Sequence, residues 1–120
     1  MRRSHTRRER LGRGPALERL FSTGKQVSCR GCKLVAVANG LGWNRVSVLN
    51  ARGYRRAVDR NRDRRVLRES YRLTRESLSK GFDLAVVLYP GQYSPEQRRG
   101  QLRELLERSG LLSGPRGIHG

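Results

Sequence analysis

The stretch from Ala57 to Arg72 must meet two different environments at once. It carries Arg60, Arg62, Arg64, Arg65, Arg68 and Arg72, six arginines within thirteen residues. No glycine or proline interrupts it, and the pattern predicts one helix from about Arg56 to Ser79. At about 100° per residue, Arg64, Arg75, Arg68, Asn61, Arg72 and Arg65 fall on one arc, flanked by Arg60 and Arg62. Leu73, Val66, Leu67, Leu78 and Tyr71 take the remaining arc, with Asp63 and Ser70 among them. Such a helix lays one side on a core and offers the other to something anionic. The rest of the chain must therefore supply an apolar layer to receive it.

Three segments can build that layer. Gln26 to Ala38 reads as a strand that can bend at Gly31 and count as two; it contains the unbroken apolar run Leu34–Ala38. Trp43 to Ala51 reads as a second strand, and an antiparallel hairpin between the two is expected across the turn Asn39-Gly40-Leu41-Gly42. Asp83 to Tyr89, bounded by Gly81 and Pro90, is the most apolar run and reads as a buried strand. Two shorter helices flank them. Pro15 fits the first position of a helix to about Thr23, with Leu17, Leu20 and Phe21 as its stripe and Gly24 as its stop. Ser94-Pro95-Glu96-Gln97 is a capping-box start, followed by Leu102, Leu105 and Leu106, with Gly110 closing the helix. The order α-β-β(-β)-α-β-α makes an α+β sandwich of a small sheet with helices. One domain is expected over residues 15–110, with a flexible basic arm at 1–14 and a loose tail at 111–120.

Charge points to the partner. The formal net charge is +17, from 27 basic against 10 acidic residues. A fold does not need this imbalance, and self-repulsion opposes it. Intrahelical pairs, such as Glu69 with Arg65 and Glu76 with Arg72, could solvate part of the arginine face. Yet eight basic residues face four acidic ones between Ala57 and Lys80, and Arg52, Arg55 and Arg56 precede them. Arginine's planar fork of donors matches phosphate and stacks on bases, so nucleic acid is the expected partner. Membrane anchoring is not expected, because Trp43 and the two Phe residues are scattered and no run approaches a membrane span. A basic start without an apolar run behind it is no secretory signal, so a cytoplasmic location is expected.

Chemistry within the chain is not expected. Cys29-Arg30-Gly31-Cys32 has the spacing of half a zinc site, but a structural zinc takes four ligands and His5 and His119 lie near opposite ends. Two reduced thiols are the expected reading. Asp59 and Asp63, at i and i+4, could share a face. Surrounded by arginines, they are expected in intrahelical ion pairs rather than on a metal.

Ala57-Val58-x-Arg60-Asn61-Arg62-x-Arg64-Arg65-x-x-Arg68-Glu69 resembles the signature of the protein subunit of bacterial ribonuclease P, of the form A-V-x-R-N-R-x-K/R-R-x-x-R-E/Q. Arg10-Leu11, Leu20-Phe21-x-x-Gly24, Arg30, Arg45-Val46 and Asp83-Leu84-Ala85-Val86 extend the resemblance over roughly residues 8 to 112. It implies a compact α-β-β-β-α-β-α fold with a small mixed sheet and a left-handed β-α-β crossover at the arginine helix, in the class of the second domain of a small-subunit ribosomal protein. It implies a large catalytic RNA as partner, which performs the hydrolysis with magnesium that the RNA mainly holds. It also implies precursor tRNA as substrate and no obligate protein partner.

The resemblance further implies an RNA-facing set of Arg52, Arg60, Asn61, Arg62, Arg64, Arg65 and Arg68, to which the charge pattern adds Arg55, Arg56 and Arg72. A cleft between the first helix and the sheet would hold the single-stranded 5′ leader, with Leu17, Phe21, Arg30 and Val35 as its residues. The chain departs from the family there: Leu17 stands where Phe is common, and Cys32 and Val35 where aromatics are common. Arg55 stands where the family has a glycine. The alternative is a ribosomal-type or RNA-chaperone protein with no part in cleavage, which need not pair this arginine helix with a downstream apolar strand.

Overall fold

The structure, a computed structural model, describes residues 9–112. Three helices, α1 (Pro15–Thr23), α2 (Ala57–Thr74) and α3 (Pro95–Arg108), surround four strands, β1 (Lys25–Cys29), β2 (Cys32–Ala38), β3 (Arg45–Asn50) and β4 (Phe82–Leu88). A single 3-10 turn, Arg75–Ser77, extends α2. The segment expected at 26–38 turns at Gly31, as its sequence allows, and forms two strands joined in a tight hairpin. Cys29 pairs with Cys32 across the two-residue turn Arg30-Gly31, where Gly31 takes φ 83°. That left-handed conformation is open to glycine at little steric cost.

The expected antiparallel pairing of the second and third strand segments does not form. The sheet order is β1-β2-β4-β3. β4 lies between β2 and β3, antiparallel to the former and parallel to the latter. The reason is burial. β4 is apolar at both alternations, with Leu84, Ala85, Val86 and Leu88 all buried, so it needs neighbours on both sides. β3 alternates Val46 and Val48 with Arg45 and Ser47, a pattern that suits an edge. The Asn39–Asn44 segment is therefore no hairpin turn. It passes the end of β4, tied by Asn39 Nδ2 to Asp83 Oδ1 at 2.9 Å and by Asn44 Oδ1 accepting from Phe82 N at 2.8 Å. β3, α2 and β4 thus make the β-α-β unit with parallel strands.

Alternate residues of the sheet feed two cores. Cys32, Leu34, Val46, Val48, Leu84, Val86 and Leu88 meet Leu67 and Tyr71 of α2 and Leu102, Leu105 and Leu106 of α3. Val35 and Ala85, on the other face, meet Leu20 of α1 and Leu11. The expected arm and tail boundaries move. Leu11 and Leu111 are both buried; Leu11 N bonds Val46 O at 3.0 Å and Ser79 N bonds Leu111 O at 2.9 Å. The other residues expected in the arm and tail, at 1–8 and 113–120, lie outside the described residues.

α3 starts as its sequence requires. Ser94 Oγ accepts from Gln97 N at 3.1 Å, and Gln97 Oε1 accepts from Ser94 N at 2.8 Å. This closed capping box satisfies two donors that a helix N-terminus leaves free.

Candidate nucleic-acid interface

α2 buries Asp63, Leu67, Ser70 and Tyr71, one stripe at i, i+4, i+7 and i+8. Everything else on the helix is set by that choice. Arg60, Asn61, Arg65 and Arg68 are exposed or half-exposed on the outer side, and Arg62, Arg64 and Arg72 stand at its flanks. Arg52, Arg55 and Arg56 are exposed on the loop before the helix. That loop turns at Gly53, with φ 108°.

An open groove of about 630 Å³ runs between α2 and the edge strand β3. Val46, Ser47 and Val48 line it from the sheet, Arg10, Leu11 and Gly12 from the N-terminal segment, and Arg65, Arg68, Glu69 and Arg72 from α2. Arg10, expected in the arm, pairs with Val46 and so stands in this groove. Three carboxylates hold arginines around this face: Asp59 holds Arg56 at 3.4 Å, Glu9 holds Arg75 at 2.8 Å, and Glu69, itself in the groove wall, holds Arg72. Glu69 thus pairs with Arg72 rather than with Arg65. Arg68 has no ion pair of its own among the described residues. Its guanidinium is pushed below its usual pKa by burial and by the charges of Arg64 and Arg10. The centre of the face is therefore cationic and internally uncompensated.

The two aspartates do not converge. Asp63 is 2% exposed and meets Arg98, itself 0% exposed, at 2.9 Å. It pairs across to α3 and also with its own neighbour on α2, Arg62, whose Nη2 donates to Asp63 Oδ1 at 3.2 Å. Among the described residues no group of three or more His, Cys, Asp or Glu could hold a metal ion. Cys29 and Cys32 are free thiols; burial pushes the Cys32 thiol up to about 12, with the neighbouring Cys29 adding to the rise.

On the opposite face the expected cleft residues separate. Val35 is fully buried beneath α1, while Leu17 and Phe21 are partly exposed and pack against it. Arg30 is exposed on the β1–β2 turn. The register places Ser28, Lys33, Val87 and Leu49 in the next row across the four strands. Of these Lys33, Val87 and Leu49 are partly exposed, so that row, not Val35, offers surface beside α1.

Arg98 escaped the sequence reading, yet a signal was there. It lies on the same stripe as Gln101, Leu102, Leu105 and Leu106 of α3, as Asp63 lies on the apolar arc of α2. Opposite charges on the buried arcs of two helices mark a pair.

The fold and its surface define a small α+β domain with a mixed four-stranded sheet and an arginine-rich face on α2. The chain matches the Ribonuclease P family over residues 6–110, and it belongs to that family. A ribonuclease P protein component from Thermotoga maritima is 32% identical over 87 residues, 72% of this chain and 74% of that protein. One from a Thermoanaerobacter species is 36% identical over 70 residues, 58% of this chain and 60% of that protein, so the match spans less than two thirds of that relative. Among solved structures, the RNase P protein from Thermotoga maritima superposes with a TM-score of 0.74 at 25% identity, covering 83% of this chain and 96% of that one. The Staphylococcus aureus RNase P protein gives 0.78 at 18% identity over 87% and 97%, a likeness of fold.

Proposed function

We propose that this chain is the protein subunit of a ribonuclease P holoenzyme, acting in the cytoplasm in 5′ maturation of precursor tRNA. The observation that carries the reading is the uncompensated arginine face of α2 and its groove, in a chain of this family. Arg10, Arg60, Asn61, Arg62, Arg64, Arg65 and Arg68, with Arg52, Arg55 and Arg56 of the preceding loop, take the phosphates of the catalytic RNA. Arginine suits this because its fork of donors reaches two phosphate oxygens at once. The single-stranded leader of precursor tRNA lies across the other face, beside Leu17 and Phe21 and over Lys33, Val87 and Leu49, with Arg30 at its end. Aliphatic side chains there stack on bases less well than aromatic ones do, so leader contact leans on charge. Hydrolysis belongs to the RNA, with magnesium held mainly by the RNA. The protein raises substrate affinity and lowers the magnesium that the RNA needs.

The test is cleavage of precursor tRNA at low magnesium by the protein, by a bacterial ribonuclease P RNA, and by both. Correct 5′ cleavage only with both present is expected. Absence of stimulation favours a ribosomal-type or RNA-chaperone role, and cleavage by the protein alone would refute the assignment of chemistry to the RNA.

A further inference from the structure

One guanidinium ties together the segments around the N-terminal end of the arginine helix. Arg98 is fully buried. Its Nη2 donates to Asp63 Oδ2 at 2.9 Å, to the Tyr54 hydroxyl at 3.1 Å and to the Tyr89 carbonyl at 2.6 Å. Its Nη1 donates to the Gly31 carbonyl at 2.8 Å and to Gln101 Oε1 at 3.0 Å. The Tyr93 ring covers it at 4.5 Å from the centroid. Tyr54 in turn donates to Asp63 Oδ2 at 2.9 Å. Arg62 Nη2 donates both to Asp63 Oδ1 and to the Tyr93 carbonyl, each at 3.2 Å.

These bonds sit next to the surface arginines. Tyr54 stands between Arg52 and Arg55 on the loop, Asp63 follows Arg62 on α2, and Gly31 follows Arg30 on the hairpin turn. Arg98 and Asp63 are both shut off from solvent, yet three of the segments they hold, the 51–56 loop, α2 and the β1–β2 turn, present arginines to it. A buried ion pair is a poor means of gaining stability, since an apolar pair of similar volume is often as stable or more so. An apolar pair cannot accept from Arg62 and Tyr54 or donate to two backbone carbonyls. What the pair supplies is geometry.

We infer that Arg98, through Asp63 and Tyr54, is a positioning residue for RNA recognition: it fixes the 51–56 loop and the Arg60–Arg62 turn of α2 in the arrangement that meets the RNA. The inference rests on the RNA-binding function proposed above. It predicts that replacing the pair without changing net charge lowers affinity for RNA even when the fold survives.

The decisive variant is Asp63→Leu with Arg98→Met, studied well below its own unfolding temperature. The probe is a transcript of a bacterial ribonuclease P RNA, titrated across monovalent salt. Affinity is expected to fall about tenfold, the loss for one charge-assisted hydrogen bond. The slope of log affinity against log salt is expected to shrink by roughly 0.7–0.9, one phosphate contact. No formal charge balance has changed, so a shallower slope reports arginines displaced elsewhere. Parental affinity and slope in this variant would overturn the inference and leave the pair purely structural. Tyr54→Phe removes a single hydroxyl and guards against a double variant that does not fold. It breaks Tyr54's bonds to Asp63 and Arg98 but leaves that ion pair in place, so binding should weaken less than in the double variant, about threefold, and parental affinity there overturns the loop's part in the inference. Failure of the unaltered protein to bind the transcript would instead overturn the functional reading itself.

Discussion

Arg64→Ala combined with Arg68→Ala separates a specific RNA surface from mere positive charge. Arg68 has no carboxylate partner of its own among the described residues and sits in the field of Arg64 and Arg10. Arg64 contributes one hydrogen bond to Asn50 Oδ1 at 3.3 Å. Removing both side chains sacrifices no ion pair and relieves like-charge repulsion, so the melting temperature should hold or rise slightly. Binding should behave differently. Each phosphate that an arginine neutralises adds roughly 0.7 to 0.9 to the slope of log affinity against log salt, the values for single strands and duplex. With two arginines gone, the slope should flatten by roughly 1.4 to 1.8. At about 0.1 M monovalent salt that is roughly a 25- to 60-fold loss of affinity, fading toward 1 M salt.

The control is Arg99→Ala with Arg103→Ala. Both residues are exposed on α3, and the charge removed is the same. A filter-binding or fluorescence titration of both double variants against ribonuclease P RNA, at several salt concentrations, gives the comparison. The α3 pair should change slope and affinity little. Equal losses from the two pairs would mean that the RNA senses only net charge, and the α2 face would have no special role. An unchanged slope in the Arg64 and Arg68 variant would remove these residues from the interface altogether.

Two further outcomes follow from the interior. Asp83 is fully buried and takes two hydrogen bonds from Arg45, each at 2.8 Å. Burial by itself would raise its pKa, but the bonds from Arg45 and Asn39 and the charges of Arg45 and Arg19 outweigh it and hold the carboxyl below its ordinary 3.8. A depressed carboxylate stabilises the fold fully above its unfolded pKa, and that stability is lost as pH falls through the folded value. Asp83→Asn should therefore unfold less steeply with acid below pH 3.8, followed by circular dichroism; an acid limb identical to the parent's would refute the linkage. Leu105, 0% exposed between α3 and the sheet, should lose about 2–5 kcal/mol on truncation to Ala, read from urea unfolding, and a loss under about 1 kcal/mol would mean that the site collapses around the gap.

The elements are legible where one physical cause dominates. The capping box at Ser94 and the stripe of α1 depend on residues close in sequence, and each stands where its spacing puts it. The arginine helix ends at Thr74 rather than near Ser79, and Leu73, expected on its apolar arc, is exposed while Leu67 and Tyr71 are buried. Strand order does not follow in the same way, because it depends on which strands must be buried on both faces. The information is present in the unbroken run Leu84–Leu88 against the alternation in Arg45–Asn50, but the turn-like Asn39-Gly40 is a stronger local signal and points to a hairpin. Arg10 and Leu11 look like arm because a single pair of residues has no period. The groove between α2 and β3 is made by residues far apart in sequence, from Arg10 to Arg72, which no local pattern reveals.

The placement of the few acidic residues explains why the surface remains available to a partner. With only 10 acidic residues for 27 basic ones, where they stand decides which arginines are free. Asp83 engages Arg45 at the base of the sheet, Asp63 engages Arg98 in the interior, Glu9 holds Arg75 and Asp59 holds Arg56. Glu69 engages Arg72 at the groove wall. Each pairing fixes a piece of scaffold. None reaches Arg64 or Arg68, where the charges of Arg10, Arg64 and Arg68 repel one another. A face left in that state is less stable alone than when phosphates lie against it, so RNA binding should raise the stability of the fold by ordinary linkage. The repulsion that opposes folding is the same term that phosphate contact relieves, which is why Arg64 and Arg68, to which the fold gives no carboxylate, should gain most from RNA.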